Sequence, residues 1–423
     1  MAVDLPPQLE VAVRAAPVSA VVRPPGSKSL TNRALIVAAL ARGVSRIHDP
    51  LEADDTEAMR RGLRSLGVGI EDNDDPWLVL GTGGQLTVPA LGIDAGEAGT
   101  VARFLTAVAA LAPGPVTIDG RGRLRQRPME ELVVALERMG VKVMHRSSLL
   151  PITVEGHGLM GGRVEVDPSR SSQFVSALLL VAPMASRDVE VVMTSPPVSR
   201  PYLTSTVEVM TAFGARVEYG GDRFHVAATG YGSTQFEVEA DASAAAYPLV
   251  AGAITGGIVS IDGIPAGSTQ PDLALLPVLE AQGCIVRREP HRIVLKGPGE
   301  VLKAIDIDMN DAPDAAVAAA VACLFADGES RVRNIGNLRL KESDRLAALE
   351  TELTRVGGKA RIVGNDLVIK PGPLVPTVVN TYNDHRIAMA FALVGLRQPG
   401  IVIDGPSCVT KTWPGYFDML AHL

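Results

Sequence analysis

Apolar and polar positions along the chain follow two rhythms, and the combination itself recurs. Runs rich in Ala, Leu and Val, with apolar residues at helical spacing, open near Asn32, Ala102, Ser172, Ala246, Ala315 and His385, 69 to 74 residues apart. Each run is followed by a turn and a short β-branched segment, the composition of a strand: VSRI (44–47), PVTI (115–118), DVEVV (188–192), GIVSI (257–261), ESRV (329–332) and GIVI (400–403). A second, amphipathic stretch ends in glycine and passes into another strand: MRRGLRSLGVGI, LVVALERMGVKV, TVEVMTAFGARV, LLPVLEAQGCIV and LETELTRVGGKA. Its glycines, Gly67, Gly140, Gly214, Gly283 and Gly357, also fall 69 to 74 residues apart. Glycine at a helix C-terminus takes the left-handed conformation without the Cβ penalty. The regular spacing predicts six copies of one α/β unit.

The sixth copy of the second stretch, YFDMLAHL, reaches the end of the chain before its glycine and strand. The N-terminal LEVAV (9–13) is expected to supply the missing strand, which puts both termini in one domain. Three units per domain then give a first domain at 24–239 and a second at 1–23 plus 240–423. The two crossings, near 22–24 and 239–241 and so around Val22 and Ala240, form the expected hinge.

Composition agrees with two domains: 423 residues exceed what one hydrophobic core organises. The 47% hydrophobic and 21% charged content is that of a globular chain. Aromatics are only 4%, so the core rests on aliphatic residues and a nucleic-acid stacking surface has few candidates. A net charge of −7 argues against bulk attraction to nucleic acid or an anionic membrane. Cys284, Cys323 and Cys408 are far apart, with no disulfide framework or CxxC pattern. The first residues lack a signal-peptide pattern, and no apolar run is long enough for a span, so a cytoplasmic location is expected.

The unusual polar residues gather just before the first helix of a unit: PPGSKSLTNRA (24–34), EAGTVARF (97–104), DPSRSSQF (167–174), DAPDAAV (311–317) and YNDHRIAM (382–389). A helix N-terminus presents unpaired N–H groups and suits phosphate or carboxylate. Taken singly, the Ser, Thr and Asp residues there read better as ordinary caps. Lys28, Arg33, Arg103 and Arg386 do not, because a cation at that end is unfavourable unless an anion joins it. The fourth unit, ADASAAAYP, has no such cation and is expected only to be capped. NLRLKESDRL (337–346) reads either as a solvated helix start with Ser343 as a possible cap, or as a carboxylate between cations suited to acid–base work. GSKS (26–29) lacks the upstream glycine of a phosphate loop, and no HExxH or close histidine pair points to a metal. His385 fits a cap or a proton carrier.

Nine segments, among them PGSKSLTNRALIVAALARG (25–43), AGTVARF (98–104), RQRPMEEL (125–132), SSQFVSALL (171–179), RNIGNLRLKESDRL (333–346), YNDHRIAMAFAL (382–393) and KTWPGYF (411–417), resemble the EPSP synthase family in order and spacing from about residue 24 onward. The resemblance implies the enolpyruvyl transferase fold: two similar domains of three βαβαββ-type units with helices inside sheets, an inside-out α/β barrel. It implies transfer of the enolpyruvyl group of phosphoenolpyruvate to shikimate 3-phosphate, in a monomer, with no metal and no organic cofactor. Small-molecule substrates are the implied partners, with no nucleic acid and no membrane. Lys28, Ser29, Arg33, Ser171, Ser172, Gln173, Ser199, Tyr202, Asp314, Asn337 and Lys341 would bind shikimate 3-phosphate. Lys28, Gly99, Arg127, Gln173, Arg345, Arg386 and Lys411 would bind phosphoenolpyruvate. Asp314, Glu342 and Lys28 would carry the proton transfers.

Glu97, Phe104 and Met129–Glu131 depart from familiar family members, which bears on affinity for phosphoenolpyruvate and its mimic glyphosate. The related UDP-N-acetylglucosamine enolpyruvyl transferases use a loop cysteine, whereas DGRGRLRQRP (119–128) has none. An inactive anion-binding relative is the remaining alternative.

Overall fold

The computed structural model describes residues 5–423. The chain divides into two compact units, one of Gly26–Val238 and one joining the described part of Met1–Pro25 to Glu239–Leu423. In the first unit the helices are α1 (Lys28–Leu40), α2 (Asp54–Ser65), α3 (Gly99–Ala109), α4 (Glu130–Arg138), α5 (Gln173–Val181) and α6 (Pro201–Ala212). In the second they are α7 (Ala242–Thr255), α8 (Leu275–Ala281), α9 (Pro313–Ala322), α10 (Arg345–Arg355), α11 (His385–Gly395) and α12 (Tyr416–His422).

Helices α1, α3, α7 and α9 start two to four residues before the positions expected from Asn32, Ala102, Ala246 and Ala315, and α5 starts one residue after Ser172. Their first turns hold small or polar residues, such as Lys28, Ser29, Gly99 and Thr100, which hydrophobic periodicity reads as loop. Only α11 opens at its expected residue, His385.

The odd-numbered helices form the two cores. Every residue of α3 and α7 is buried, as are α1 from Leu30 onward, α5 from Phe174 onward and all of α9 except Asp314. A helix that is apolar all round must be enclosed. The amphipathic α2, α4 and α10 pack one face only. The five glycines that close the second stretches all have φ between +85° and +108°.

Each complete repeat contributes one four-stranded pattern. Ile93–Asp94 runs parallel to Pro115–Asp119, which pairs antiparallel with Leu149–Glu155, itself paired with Lys142–Arg146. Two repeats borrow their first strand. Ala41–His48 is joined in parallel by Tyr231–Gly232 and Gln235–Glu237, from the end of the same unit. Ile258–Asp262 is joined by Ser19–Val22. The last sheet is completed by Gln8–Glu10, antiparallel to Ile401–Asp404. That strand is shorter than the expected 9–13, because Val11 already turns inward and fills the space above Gly395. The sheets remain separate, so no barrel of strands closes around the helices. Among the described residues no helix is long and apolar enough to cross a membrane.

Candidate active site

In the unit of Gly26–Val238 the singled-out residues lie at the N-terminal ends of α1, α3, α5 and α6. Helices α1 and α3 begin without a capping side chain, so Ser27 is not the ordinary cap its type suggests. Lys28 Nζ stands 3.3 Å from Oδ2 of buried Asp55, at the start of α2. Ser29 donates no capping bond; its carbonyl accepts from Arg33 Nη1 at 2.9 Å. Arg33 is buried, and its Nε donates to Thr206 Oγ1 at 2.8 Å while Nη2 reaches the Tyr202 carbonyl at 3.4 Å. The Phe104 ring centroid is 5.3 Å from its guanidinium carbon. Burial pulls the Arg33 pKa down to about 10, yet it stays charged at neutral pH, held by hydroxyl and carbonyl dipoles and the ring face.

Arg103 binds Gln173 Oε1 at 2.7 Å and the Pro128 carbonyl at 2.9 Å, fixing Gln173 at the head of α5. Ser171 Oγ accepts from the Gln173 N–H at 3.3 Å, and Ser172 beside it is buried. Arg127 is buried against Gly99, whose missing side chain leaves room for the guanidinium. Ser199 takes a left-handed φ of +54° in the turn before α6, which carries half-buried Tyr202. Arg200 turns away and donates to the Gly221 carbonyl at 2.6 Å.

The second unit holds a denser array. Arg345, at the first residue of α10, donates from Nη1 to Asp314 Oδ1 at 2.8 Å and from Nη2 to Glu342 Oε2 at 2.7 Å. It also grips Asp384 through Nε at 2.7 Å and Nη2 at 3.1 Å. Arg386 Nη2 meets the other Asp314 oxygen at 2.9 Å, and Lys341 Nζ lies 3.6 Å from Asp314 Oδ1. Three carboxylates and three cations thus share one patch, in which Arg345, Asp384 and Arg386 are buried and Asp314, Lys341 and Glu342 are partly exposed. Burial alone would raise the Asp314 carboxyl, but Arg386, Lys341 and Arg345 outweigh it and hold it well below the usual carboxylate range. Burial would lower the Arg345 pKa, and Asp384, Glu342 and Asp314 instead raise it.

NLRLKESDRL is not a solvated helix start, since Arg345 is 1% exposed. The cap of α10 is Asp344, which accepts from the Ala347 N–H at 3.1 Å, while the Ser343 hydroxyl donates to Asp384 at 2.9 Å. Asp384 caps α11 through the Arg386 N–H at 3.0 Å. That leaves His385 as a fully buried first helical residue, its Nδ1 3.8 Å from Asp384. In the fourth unit Asp241 caps α7, as expected.

Asn337 has both side-chain amide atoms buried without a hydrogen-bond partner among the described residues. Lys411 is buried at the end of the short helix Pro406–Lys411. Cys408, in the same helix, is half-buried, and burial pushes its thiol up to about 12.

Sequence patterns left several partners unmarked. Asp55, Thr206 and Ser176 look like surface helix residues, and Asp384 looks like a cap. Asp272 accepts from the Ala315 N–H at 2.9 Å and so closes the first turn of α9 from another element. Burial and then the neighbouring Asp314 raise its pKa. Tyr247, beside Arg386, is pushed up to about 12 by burial and stays neutral. The sequence feature that points to some of them is an Asp near the starts of α2, α8, α10 and α11.

Known proteins resemble this chain in sequence and architecture. A sequence profile described as EPSP synthase (3-phosphoshikimate 1-carboxyvinyltransferase) matches residues 13–420. A 3-phosphoshikimate 1-carboxyvinyltransferase of Tolumonas auensis is 42% identical over 416 residues, covering 96% of this chain and 97% of its own. One from Photobacterium profundum is 41% identical over 409 residues, covering 94% and 95%. A solved EPSP synthase of Acinetobacter baumannii superposes with a TM-score of 0.83 at 26% identity, over 98% of this chain and 97% of that one. The enolpyruvyl transferase NikO of Streptomyces tendae shares the fold, with a TM-score of 0.78 at 16% identity over 98% and 97%. Full-length agreement in both sequence and fold makes this chain a member of the EPSP synthase (3-phosphoshikimate 1-carboxyvinyltransferase) family.

Proposed function

We propose that the chain transfers the enolpyruvyl group of phosphoenolpyruvate to the 5-hydroxyl of shikimate 3-phosphate and releases phosphate. The observation that carries this reading is the Asp314 carboxylate fixed between Arg345 and Arg386 at 2.8 and 2.9 Å. A base for a hydroxyl and two guanidiniums for a small dianion are thereby held together.

The two substrates bring two phosphates and two carboxylates. Lys28, Ser29, Arg33, Ser171, Ser172, Gln173, Ser199 and Tyr202 bind shikimate 3-phosphate from one unit, and Asp314, Asn337 and Lys341 from the other. The unsatisfied amide of Asn337 supports its part, because a buried amide without partners is costly. Arg33 acts through its charge and through Ser29 and Tyr202, whose carbonyls it holds. Lys28, Gly99, Arg127, Gln173, Arg345, Arg386 and Lys411 bind phosphoenolpyruvate.

Asp314 takes the proton of the 5-hydroxyl as its oxygen bonds to C2 of phosphoenolpyruvate. Glu342 or Lys28 gives a proton to C3, and a tetrahedral adduct forms. The same group then takes a proton back from C3, the C2–O bond to phosphate breaks, and the double bond returns. One group serving first as acid and then as base meets the need of both halves of the reaction.

The enzyme acts as a cytoplasmic monomer, and each of its two units supplies cations to the substrates. The purified chain should release phosphate from phosphoenolpyruvate when shikimate 3-phosphate is present, and not when UDP-N-acetylglucosamine replaces it. Release only with the nucleotide sugar would assign the other transferase activity, and release with neither would leave an anion-binding protein.

A further inference from the structure

Helix α10 grips the segment 380–386 at two points, and only one belongs to the charged array. At its first residue Arg345 holds Asp384. Seven residues later, on the same helical stripe and about 10 Å along the axis, stands Glu352. Its side chain is fully buried. Glu352 Oε1 accepts from the Tyr382 hydroxyl at 2.8 Å, and Oε2 accepts from the Asn380 N–H at 3.3 Å. Arg355, one turn on, supplies its counter-charge at 3.0 Å.

The segment so held has an unusual backbone. Tyr382 and Asn383 are consecutive left-handed residues, with φ of +55° and +54°. Neither is glycine, and left-handed L-residues are unfavourable unless neighbours impose them. Local bonds help: the Asn380 Oδ1 accepts from the Tyr382 N–H at 2.8 Å, and the Thr381 hydroxyl donates to the Asp404 carbonyl at 2.7 Å. None of these reaches α10. The Glu352 contact does, and the turn it fixes leads directly into Asp384 and Arg386.

We propose that Glu352 and Tyr382 form a positioning latch that sets Arg386 relative to Arg345. A buried carboxylate is costly unless it is fully bonded, and this one divides its bonds between Arg355 of its own helix and the turn, through Tyr382 and Asn380. Release of the latch lets Tyr382 and Asn383 relax toward ordinary φ values, and Arg386 moves with them while Arg345 stays on its helix. The two guanidiniums then no longer present a single anion site. The inference rests on the assignment of Arg345 and Arg386 to phosphoenolpyruvate.

The test is steady-state kinetics with both substrates varied, on the full chain and on Tyr382→Phe, Glu352→Gln and the double variant. Tyr382→Phe removes one hydroxyl from a half-exposed side chain and keeps the ring. It should raise KM for phosphoenolpyruvate roughly threefold to tenfold, the size of one bond to a buried charge. KM for shikimate 3-phosphate should stay constant and kcat should change less than KM. Glu352→Gln keeps one acceptor and should have the smaller effect. The double variant should be no worse than Tyr382→Phe, because both act through one contact. Equal losses for both substrates, an effect confined to kcat, or additive losses would overturn the latch. Absence of turnover in the unmodified chain would instead reject the assigned reaction, so the two failures are separable.

Discussion

The guanidinium of Arg127 lies 2.9 Å from the point that a β-carbon on Gly99 would occupy. Gly99 opens α3, and its φ does not demand glycine; the close approach of Arg127 does. The nearest atoms are the end of a long side chain, so a methyl group can be admitted if Arg127 moves.

Gly99→Ala should therefore fold normally, with stability within about 0.5 kcal/mol of the parent. Its KM for phosphoenolpyruvate should rise by about tenfold or more, as expected when a bidentate anion contact is misplaced. Thermal melts together with KM measurements check this. A melting loss that matches the kinetic loss would mean that the glycine serves packing alone.

Asp384 is fully buried and receives two bonds from Arg345, one from Ser343 and one from the Arg386 N–H. Removing one partner of such a pair leaves a buried charge without compensation. Asp384→Ala should lose about 3–5 kcal/mol of stability, read from urea denaturation midpoints. A loss no larger than that of a surface substitution would show that water or a rearranged Glu342 satisfies Arg345.

Asp314 differs, being part-exposed and placed between two guanidiniums. Asp314→Asn should lower kcat by about 10²–10⁴-fold, the range for loss of a general base. Phosphate release measured at saturating substrates checks the value, and near-full turnover would remove Asp314 from the proton transfer.

The same carboxylate predicts an acid limb in stability. Its folded pKa lies below the unfolded value of about 3.9, so its contribution is complete above that pH and declines as pH falls toward the folded pKa. Asp72, between Arg64 and Arg60, is lowered in the same sense although burial opposes it. Stability should be flat in these groups from neutral pH to about 5 and fall below about 4. Urea midpoints across that range, compared between the parent and Asp314→Asn, should show the shallower fall in the variant.

The division of labour between α1 and α10 shows what could be read in advance. Hydrophobic periodicity located the body of each repeat, because burying an apolar face or stripe is a local demand with a fixed period. It missed the first turns of α1, α3, α7 and α9, because those turns hold small or polar residues and their helicity is completed by the helix behind them. The borrowed strand Gln8–Glu10 was legible for a related reason: an unfinished sixth repeat implies a partner elsewhere in the chain.

The charged residues were legible as a set, and their pairing was not. Cations at helix N-termini stand out in one dimension because that placement is unfavourable alone. Nothing in one dimension tells that Arg33 is enclosed by hydroxyls, carbonyls and a ring, while Arg345 is enclosed by three carboxylates. The sequence by itself determined the six-fold repeat, the body of the helices and strands of each unit and the gathering of charged side chains at helix starts, since these follow from local composition and spacing. Tertiary structure alone decided which charge faces which, because ion pairs such as Arg345 with Asp384 join residues 39 apart in the chain and form only when separate helices pack.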